Sequence, residues 1–285
     1  MNALRAIWLF LRLRTRHLFR VLLNAVRTIP AVLGFECRRV SALPRLIITV
    51  GLVIFPGVLA ALVHYCGAHV RDPEPLRQPE RWTFMMFVLV PEVVCLLGLL
   101  LWATPVIQTE VEGKTWPYLA VRPCGKVPIL LGKYLTAVVW TVLAAWLALV
   151  LSLIVVIPSG KAHSGVLVLG ALVVLSALTY GALYVLIGVL FLRRSMIVAV
   201  AYTFVFEFLV SWIPAMVKQF TVQYHLRNLA AIWLPSDYVS GFFLASAGTA
   251  PWWQHVLILL GMTAVFLTAA ALVLRRRQLI TAPEV

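Results

Sequence analysis

Charged side chains are scarce in this chain of 285 residues. Asp, Glu, Lys and Arg together make up 12% of it, whereas 62% of its residues are hydrophobic. The mean hydropathy is +0.98. A soluble domain of this length carries far more charge on its surface, so the composition excludes a soluble globular protein and predicts an integral membrane protein.

Metal-binding and disulfide patterns are also lacking. The four cysteines (Cys37, Cys66, Cys95 and Cys124) are far apart and form no CxxC pair. We expect them to be small apolar fillers of the interior rather than a disulfide or metal set. The six His residues include no H-E-x-x-H and no cluster in sequence, so no metal site is predicted.

Motifs for nucleotide binding and hydrolysis are missing as well. Gly132 and Lys133 suggest a P-loop, but Gly125 lies too far upstream and Tyr134 stands where Ser or Thr is needed. No G-x-S-x-G motif or His–acid cluster indicates hydrolase chemistry. We therefore predict no catalytic residue and no cofactor site on this chain. If ATP drives it, another polypeptide binds the ATP and its Mg²⁺.

Long apolar runs are what the chain has in abundance. Each run is continuous rather than alternating and is long enough to cross a bilayer core of about 30 Å as a helix. The sequence thus predicts an all-α membrane protein with six transmembrane helices. The predicted spans are 46–66, 83–107, 133–157, 165–192, 195–217 and 253–274.

The distribution of basic residues predicts the orientation. With the N-terminus in the cytoplasm, most of the 24 Lys and Arg residues fall in inner segments. Both termini, including the tail 275–285, are then cytoplasmic, and 108–132 is the first inner loop. A multi-pass protein of a bacterial-type inner, or plasma, membrane is expected.

Two segments outside the spans are not simple linkers. Residues 1–45 begin with a helical repeat of apolar side chains and Arg on the other face, which predicts a basic amphipathic helix on the inner leaflet. Residues 218–252 form the outer segment before the last span. They hold Trp233, Tyr238 and Phe242, and are too apolar for a free loop. We expect part of this segment to re-enter the membrane edge or to cap the bundle.

Two carboxylates lie inside the predicted spans, Glu92 after Pro91 and Glu207 near the middle of the fifth span. Acids at that depth are costly and usually face a cavity or a partner. No Lys or Arg is expected at matching depth. Each acid either contributes to a substrate path or is a neutral acid bonded to a hydroxyl such as that of Tyr202 or Thr203. Both interpretations stay open for Glu207, and the structural one is favoured for Glu92.

The first inner loop is longer and more polar than a connection between two helices requires, which indicates a docking surface. It contains Glu110, Glu112, Gly113, Thr115, Leu119, Arg122, Pro123, Lys126, Gly132 and Lys133. At these positions it resembles the cytoplasmic loop of ABC-2 type permeases, which have an acid-x-acid-Gly-Thr-like stretch, a Leu-rich turn, an Arg/Pro region and a Gly-Lys pair opening the third span. Tyr202 and Glu207 also look like a Tyr…Glu pattern in one branch of these permeases.

The chain departs from that pattern in two places. Lys114 is inserted between the Gly and the Thr that usually adjoin, and Trp116-Pro117 falls where the family continues a helix. Because proline removes a donor and clashes inside a helix, the docking helix is expected to end early or to begin at Pro117.

The resemblance implies that the chain is the permease subunit of an ABC-2 type transporter. Members of this family are mostly exporters, so export is the implied direction. A separate ABC ATP-binding subunit would bind ATP and couple through the 108–132 loop. A second permease copy or a paralogue would complete the pathway as a dimer. No nucleic acid is implied. The expected coupling residues are Glu110, Glu112, Gly113, Thr115 and Arg122. A possible substrate path would include Glu207, Tyr202 and Glu92.

Three alternatives stay open at this point. A membrane-embedded enzyme would need a second catalytic group at the depth of Glu92 or Glu207. A proton-coupled secondary transporter would use Glu207, although such folds often contain internal repeats and none is visible here. A membrane scaffold would bind a partner without ATP-dependent flux.

Overall fold

The computed structural model describes residues 34, 43–68, 79–115, 126–156, 163–209, 219–234 and 250–276. Within these ranges the chain is helical and contains no strand, which confirms the all-α prediction. The helices are α1 (Leu43–Ala68), α2 (Pro79–Phe87), α3 (Cys95–Trp102), α4 (Gln108–Glu112), α5 (Lys126–Val156), α6 (His163–Leu190), α7 (Ser195–Tyr202), α8 (Val222–Trp233) and α9 (Trp252–Arg276). Two π-helical turns, Val88–Val94 and Thr203–Leu209, join α2 to α3 and extend α7.

Five helical stretches are long and apolar enough to cross a membrane. They are Leu46–Val63, Trp82–Trp102, Lys126–Ile154, Gly165–Leu190 and Trp252–Arg276. The predicted fifth span, 195–217, is described only as the shorter apolar helix Ser195–Glu207, and residues 210–218 lie outside the described ranges. The six-span layout therefore stays a prediction.

Helix α6 occupies the centre of the bundle and packs against α5, α7, α8 and α9 as well as α3. Its buried residues Leu172, Tyr180 and Tyr184 join the main hydrophobic core. Apolar side chains on α1, α5 and α9, such as Ile47, Trp146 and Leu257, are exposed. In a membrane these faces would contact lipid tails, because hydrocarbon is the solvent there.

Helix α5 begins earlier than the sequence analysis expects. The predicted start was Lys133, but the helix already begins at Lys126, so residues 126–132 of the expected inner loop are helical. This segment is mostly apolar, and its Pro128 lies in the first turn, where a missing N–H costs no helical hydrogen bond. The Gly132-Lys133 pair consequently lies inside the helix rather than opening it.

Several predicted features lie outside the described residues. These are most of the amphipathic segment 1–45, residues 116–125 with Arg122, residues 235–249 of the outer segment and the tail beyond Arg276. The part of the outer segment that is described contains α8, a helix that the sequence analysis did not place.

The inserted residue Lys114 ends helix α4. The Lys114 N–H donates to the Val111 carbonyl (3.2 Å) and the Thr115 N–H donates to the Glu110 carbonyl (3.0 Å). Lys114 has a φ of 53°. These bonds form a Schellman motif in which Lys114 occupies the left-handed position that usually holds glycine. The helix thus ends at Glu112, before Trp116, in agreement with the first of the two expected outcomes.

Replacing Lys114 by glycine is expected to relieve backbone strain. A residue with a Cβ in the left-handed region costs about 1 kcal/mol relative to glycine. Lys114→Ala is the matched control, because it removes the same side chain and keeps the strain. In unfolding titrations in mixed micelles, Lys114→Gly should be more stable than Lys114→Ala by about 1 kcal/mol. Equal stabilities would mean that position 114 carries no strain.

Candidate functional site

Residues 103–115, the described residues between α3 and α5, are called the inner turn below and are anchored to the bundle by an ion pair. Glu110 is 4% exposed, and its Oε1 lies 2.8 Å from Nζ of Lys133 in α5, which is 5% exposed. Nζ of Lys133 also donates to the Val106 carbonyl (3.4 Å), and the Thr115 hydroxyl donates to Oε2 of Glu110. A pair this deeply buried is rigid, because either charge alone would be costly at that position.

The predicted coupling residues therefore separate into two groups. Glu110 faces the interior and holds the turn in place, so its carboxylate is not offered to a partner. Glu112, Gly113 and Thr115 are exposed at the end of α4. The structure brings these four residues together in one turn, while Arg122 lies outside the described residues.

Both acids inside the apolar helices lie on π-helical turns, Glu92 in Val88–Val94 and Glu207 in Thr203–Leu209. Pro91 accounts for the first turn, because it has no N–H to donate and displaces the regular helical ladder. The Ser176 hydroxyl of α6 donates to the Pro91 carbonyl (2.8 Å). The second turn contains no proline, and we have no physical account of it. Turns of this kind occur frequently at functional sites.

Helix α8 inserts polar residues between the apolar helices. The helix begins after Thr221, whose hydroxyl accepts from the Tyr224 N–H (3.3 Å), a regular N-cap. Its buried face carries side chains that would ordinarily face water, namely Gln223, His225, Arg227 and Asn228. The expectation that part of the outer segment re-enters the membrane edge or caps the bundle stays a prediction.

Arg227 of α8 pairs with Glu92. Its Nε lies 3.3 Å from Oε1 of Glu92, and the two side chains are 9% and 4% exposed. The expectation that no basic residue lies at the depth of Glu92 is therefore wrong. It considered only the spans, whereas the partner comes from a helix of the outer segment that packs inward.

Glu207 is bonded to a hydroxyl, but not to either of the two that were expected. The Tyr180 hydroxyl of α6 donates to Oε2 of Glu207 (2.8 Å), and the Gln223 N–H donates to the same oxygen (3.3 Å). Tyr202 instead stacks on Phe206 with ring centroids 4.9 Å apart. The Thr203 hydroxyl donates to the Ala199 carbonyl (2.8 Å) and accepts from the Tyr184 hydroxyl (2.6 Å). Thr203 lies four residues before Glu207, but its hydroxyl is already engaged by these two partners.

Polar atoms in this buried cluster are incompletely paired. Within the described part of the chain, Oε1 of Glu207 and both amide atoms of Gln223 are buried without a hydrogen-bond partner. Gln223, whose N–H donates to Glu207, lies one helical turn before Arg227 on α8. Glu92, Glu207, Tyr180, Gln223 and Arg227 thus form one buried polar cluster. Unpaired polar groups in such a place need an explanation.

Sequence reasoning missed three members of the cluster: Tyr180, Gln223 and Arg227. A signal for the last two was present. Gln223 and Arg227 lie four residues apart, and therefore on one face of a helix within a segment that is otherwise apolar. Tyr180 carries no such signal, because a tyrosine in an apolar helix is ordinary.

The structure also brings two histidines together. Nδ1 of His225 lies 2.9 Å from Nδ1 of His255 in α9, and Nε2 of His225 lies 2.8 Å from the Gln219 carbonyl. Burial lowers the pKa of His225, so its imidazole is neutral near pH 7. A carbonyl only accepts, so Nε2 of His225 is the donor and Nδ1 accepts from His255. Among the described residues no three His, Cys, Asp or Glu side chains form a group that could hold a metal.

Comparison with known families shows which family the chain resembles. The family described as ABC-2 family transporter protein matches residues 37–210, which is more than half of the chain. The matched region contains the inner turn with Glu110 and Glu112, and both acids of the buried cluster. It ends before α8, so the helix that supplies Arg227 lies outside it. A comparison with curated proteins found no match.

Proposed function

Because the chain belongs to the ABC-2 family of transporter proteins and is thus the permease subunit of an ABC transporter, we propose that a separate ATP-binding subunit docks on the exposed end of α4. Glu112, Gly113 and Thr115 would form the contact, with Arg122 completing it. The ATP-binding subunit would hold ATP and Mg²⁺. Export is the direction that the resemblance favours.

One observation carries this proposal. The exposed residues of α4 lie directly beside the buried Glu110–Lys133 pair, which fixes the turn to the long helix α5. A docking surface transmits the movement of its partner only if it is not displaced relative to the helix behind it. The buried ion pair opposes such a displacement, because separating its two charges would be costly. Mixed charges at the surface would give orientation and register more than affinity.

The buried polar cluster is our candidate for the substrate path. Its unpaired atoms are sealed from solvent by the described residues, so a path through the cluster would be closed in this conformation. Because α8 supplies Gln223 and Arg227, an outward shift of α8 would uncover Glu207 and Glu92 together. Tyr202, half-buried one turn before Glu207, would lie at the edge of such an opening.

The assembly that we propose has two permease halves. Two copies of this chain, or one copy and a paralogue, would face each other across a two-fold axis in the inner membrane. Both termini would lie in the cytoplasm, as the distribution of Lys and Arg indicates. Docking of ATP-binding subunits on both halves would then close or open the path between them.

Reversing the charge of Glu112 is expected to weaken docking. An arginine at position 112 would repel a basic group of the partner that faces the acid in the wild type. A loss of about 1.4 kcal/mol of binding free energy already lowers affinity about tenfold. The measurement is the amount of ATPase that co-purifies with the detergent-solubilised chain. Wild type should retain the ATPase, and Glu112→Arg should retain about tenfold less.

The matched control is Glu74→Arg, the same charge reversal in the predicted outer loop. It should retain as much ATPase as wild type. If no ATPase accompanies even the wild type after gentle crosslinking, the coupling proposal fails. The proton-coupled alternative would then be tested by measuring transport driven by a proton gradient alone in a Glu207→Gln variant.

A further inference from the structure

Gln108, the first residue of α4, is hydrogen-bonded on both sides. Its Nε2 donates to Oε1 of Glu112 (2.6 Å), four residues along the same helix. Its Oε1 accepts from the hydroxyl of Ser195 (2.6 Å), the first residue of α7. The orientation of the amide follows from its partners. A carboxylate only accepts, so the amide nitrogen must face Glu112, and the Ser195 hydroxyl must donate to the oxygen.

These two hydrogen bonds of Gln108 connect an exposed acid to the buried first residue of a helix. Glu112 is exposed, whereas Ser195 is 0% exposed. Arg194, at the N-cap of α7, makes no side-chain capping bond. The Ser195 hydroxyl donates across to Gln108 of α4, and this bond connects the first turn of α7 to the inner turn.

Helix α7 leads to the buried polar cluster. It continues without interruption into the π-helical turn that holds Glu207, twelve residues after Ser195. At the rise of a helix this distance is about 18 Å. A displacement of Ser195 therefore moves the backbone that carries Glu207, whereas the Glu110–Lys133 pair connects the same turn only to α5.

We propose that Gln108 is a positioning residue that links the docking state of Glu112 to α7 through Ser195. The amide is planar and both of its hydrogen bonds are short, so Glu112 and Ser195 move together or one bond breaks. Hydrogen bonds to a charged group are the stronger kind, and the bond to Glu112 is of that kind. This inference rests on the proposed coupling to an ATP-binding subunit and names the route that the coupling takes.

The test uses the complex that co-purifies with the full chain, with and without trapping by ATP and vanadate. Hydrogen–deuterium exchange is measured over residues 195–209. In wild type, trapping should change exchange there at least about twofold, because nucleotide closure moves the helix start. Ser195→Ala removes one hydroxyl and should abolish this change. Gln108→Leu, which has no amide, should abolish it as well.

ATPase retention and the thermal midpoint distinguish a linkage through Gln108 from a merely structural role of this residue. Both variants should retain the ATPase, and their thermal midpoints should fall no further than that of Ser152→Ala, whereas the loss of a merely structural residue would lower both. The control Ser152→Ala removes a hydroxyl that donates to the Ala148 carbonyl (2.8 Å) within α5. It should leave the nucleotide-dependent change intact.

The outcomes distinguish this inference from the proposal on which it rests. If wild type retains no ATPase, the proposed function itself fails. If the ATPase binds and residues 195–209 respond to trapping equally in wild type, Ser195→Ala and Gln108→Leu, the linkage through Gln108 is overturned. If both variants lose the ATPase together with their thermal midpoint, the contact is structural and the inference is also overturned.

Discussion

Arg227→Met is expected to lower the free energy of unfolding by about 3–5 kcal/mol, the usual loss when one partner of a buried ion pair is removed. Methionine fills a similar volume, so the loss would come from Glu92, whose carboxylate stays buried at 3% exposure without its cation. The measurement is an unfolding titration in mixed micelles. Helix α8 should also lose protection from proteolysis, because Arg227 fastens it to the turn Val88–Val94.

A double-mutant cycle isolates the pair from the rest of the cluster. Glu92→Gln combined with Arg227→Met should be more stable than Arg227→Met alone, with a coupling energy of about 1–3 kcal/mol. Arg193→Met is the matched control, since Arg193 is exposed, and it should change stability by less than about 0.5 kcal/mol. Additive effects of the two single variants would contradict a direct interaction between Glu92 and Arg227.

Gly188→Ala is expected to destabilise the bundle by about 3 kcal/mol, at the upper end of what overpacking usually costs. A Cβ at position 188 would lie 2.2 Å from the carbonyl oxygen of Thr104 and 3.2 Å from its carbonyl carbon. These are backbone atoms of the turn that leads into α4, so they cannot rotate away as a side chain would. Either α6 moves away from the turn or the turn is displaced.

The glycine at position 261 provides the comparison. It also lies inside a helix, α9, but a Cβ there meets nothing within 4 Å among the described atoms. Gly261→Ala should therefore be neutral or stabilising by up to about 1 kcal/mol, because alanine is the better helix former. Thermal unfolding of both variants in detergent checks the pair. Similar midpoints for Gly188→Ala and wild type would show that α6 and the turn are not in close contact.

The helices were largely predictable because their signal is local. An apolar run of about twenty residues is visible in the sequence whatever it packs against, and five such runs appear as long helices. Their ends were less predictable. The early start of α5 at Lys126 depends on tolerance of Pro128 in the first turn, and the end of α4 depends on a left-handed Lys114.

The buried pairs were not predictable in the same way. Glu92 and Arg227 are 135 residues apart, and Glu110 and Lys133 lie on different elements. An acid in an apolar run indicates that some partner is needed, since a lone charge there is too costly. The sequence pattern does not say which helix supplies that partner. The same holds for the inner loop. Glu110 and Glu112 cannot be distinguished from the sequence, yet Glu110 is buried and Glu112 is exposed.

Composition and apolar run length suffice to establish a membrane protein made of helices, because the cost of placing polar groups in hydrocarbon acts on every residue separately. The loop residues from Glu110 to Lys133 likewise suffice to suggest the family. Which acids face a partner, which are neutralised, and how Gln108 connects two helices depend on contacts between elements far apart in the chain. Hydrogen bonds and ion pairs act over a few ångströms, so these roles are assigned only where packing brings the groups together.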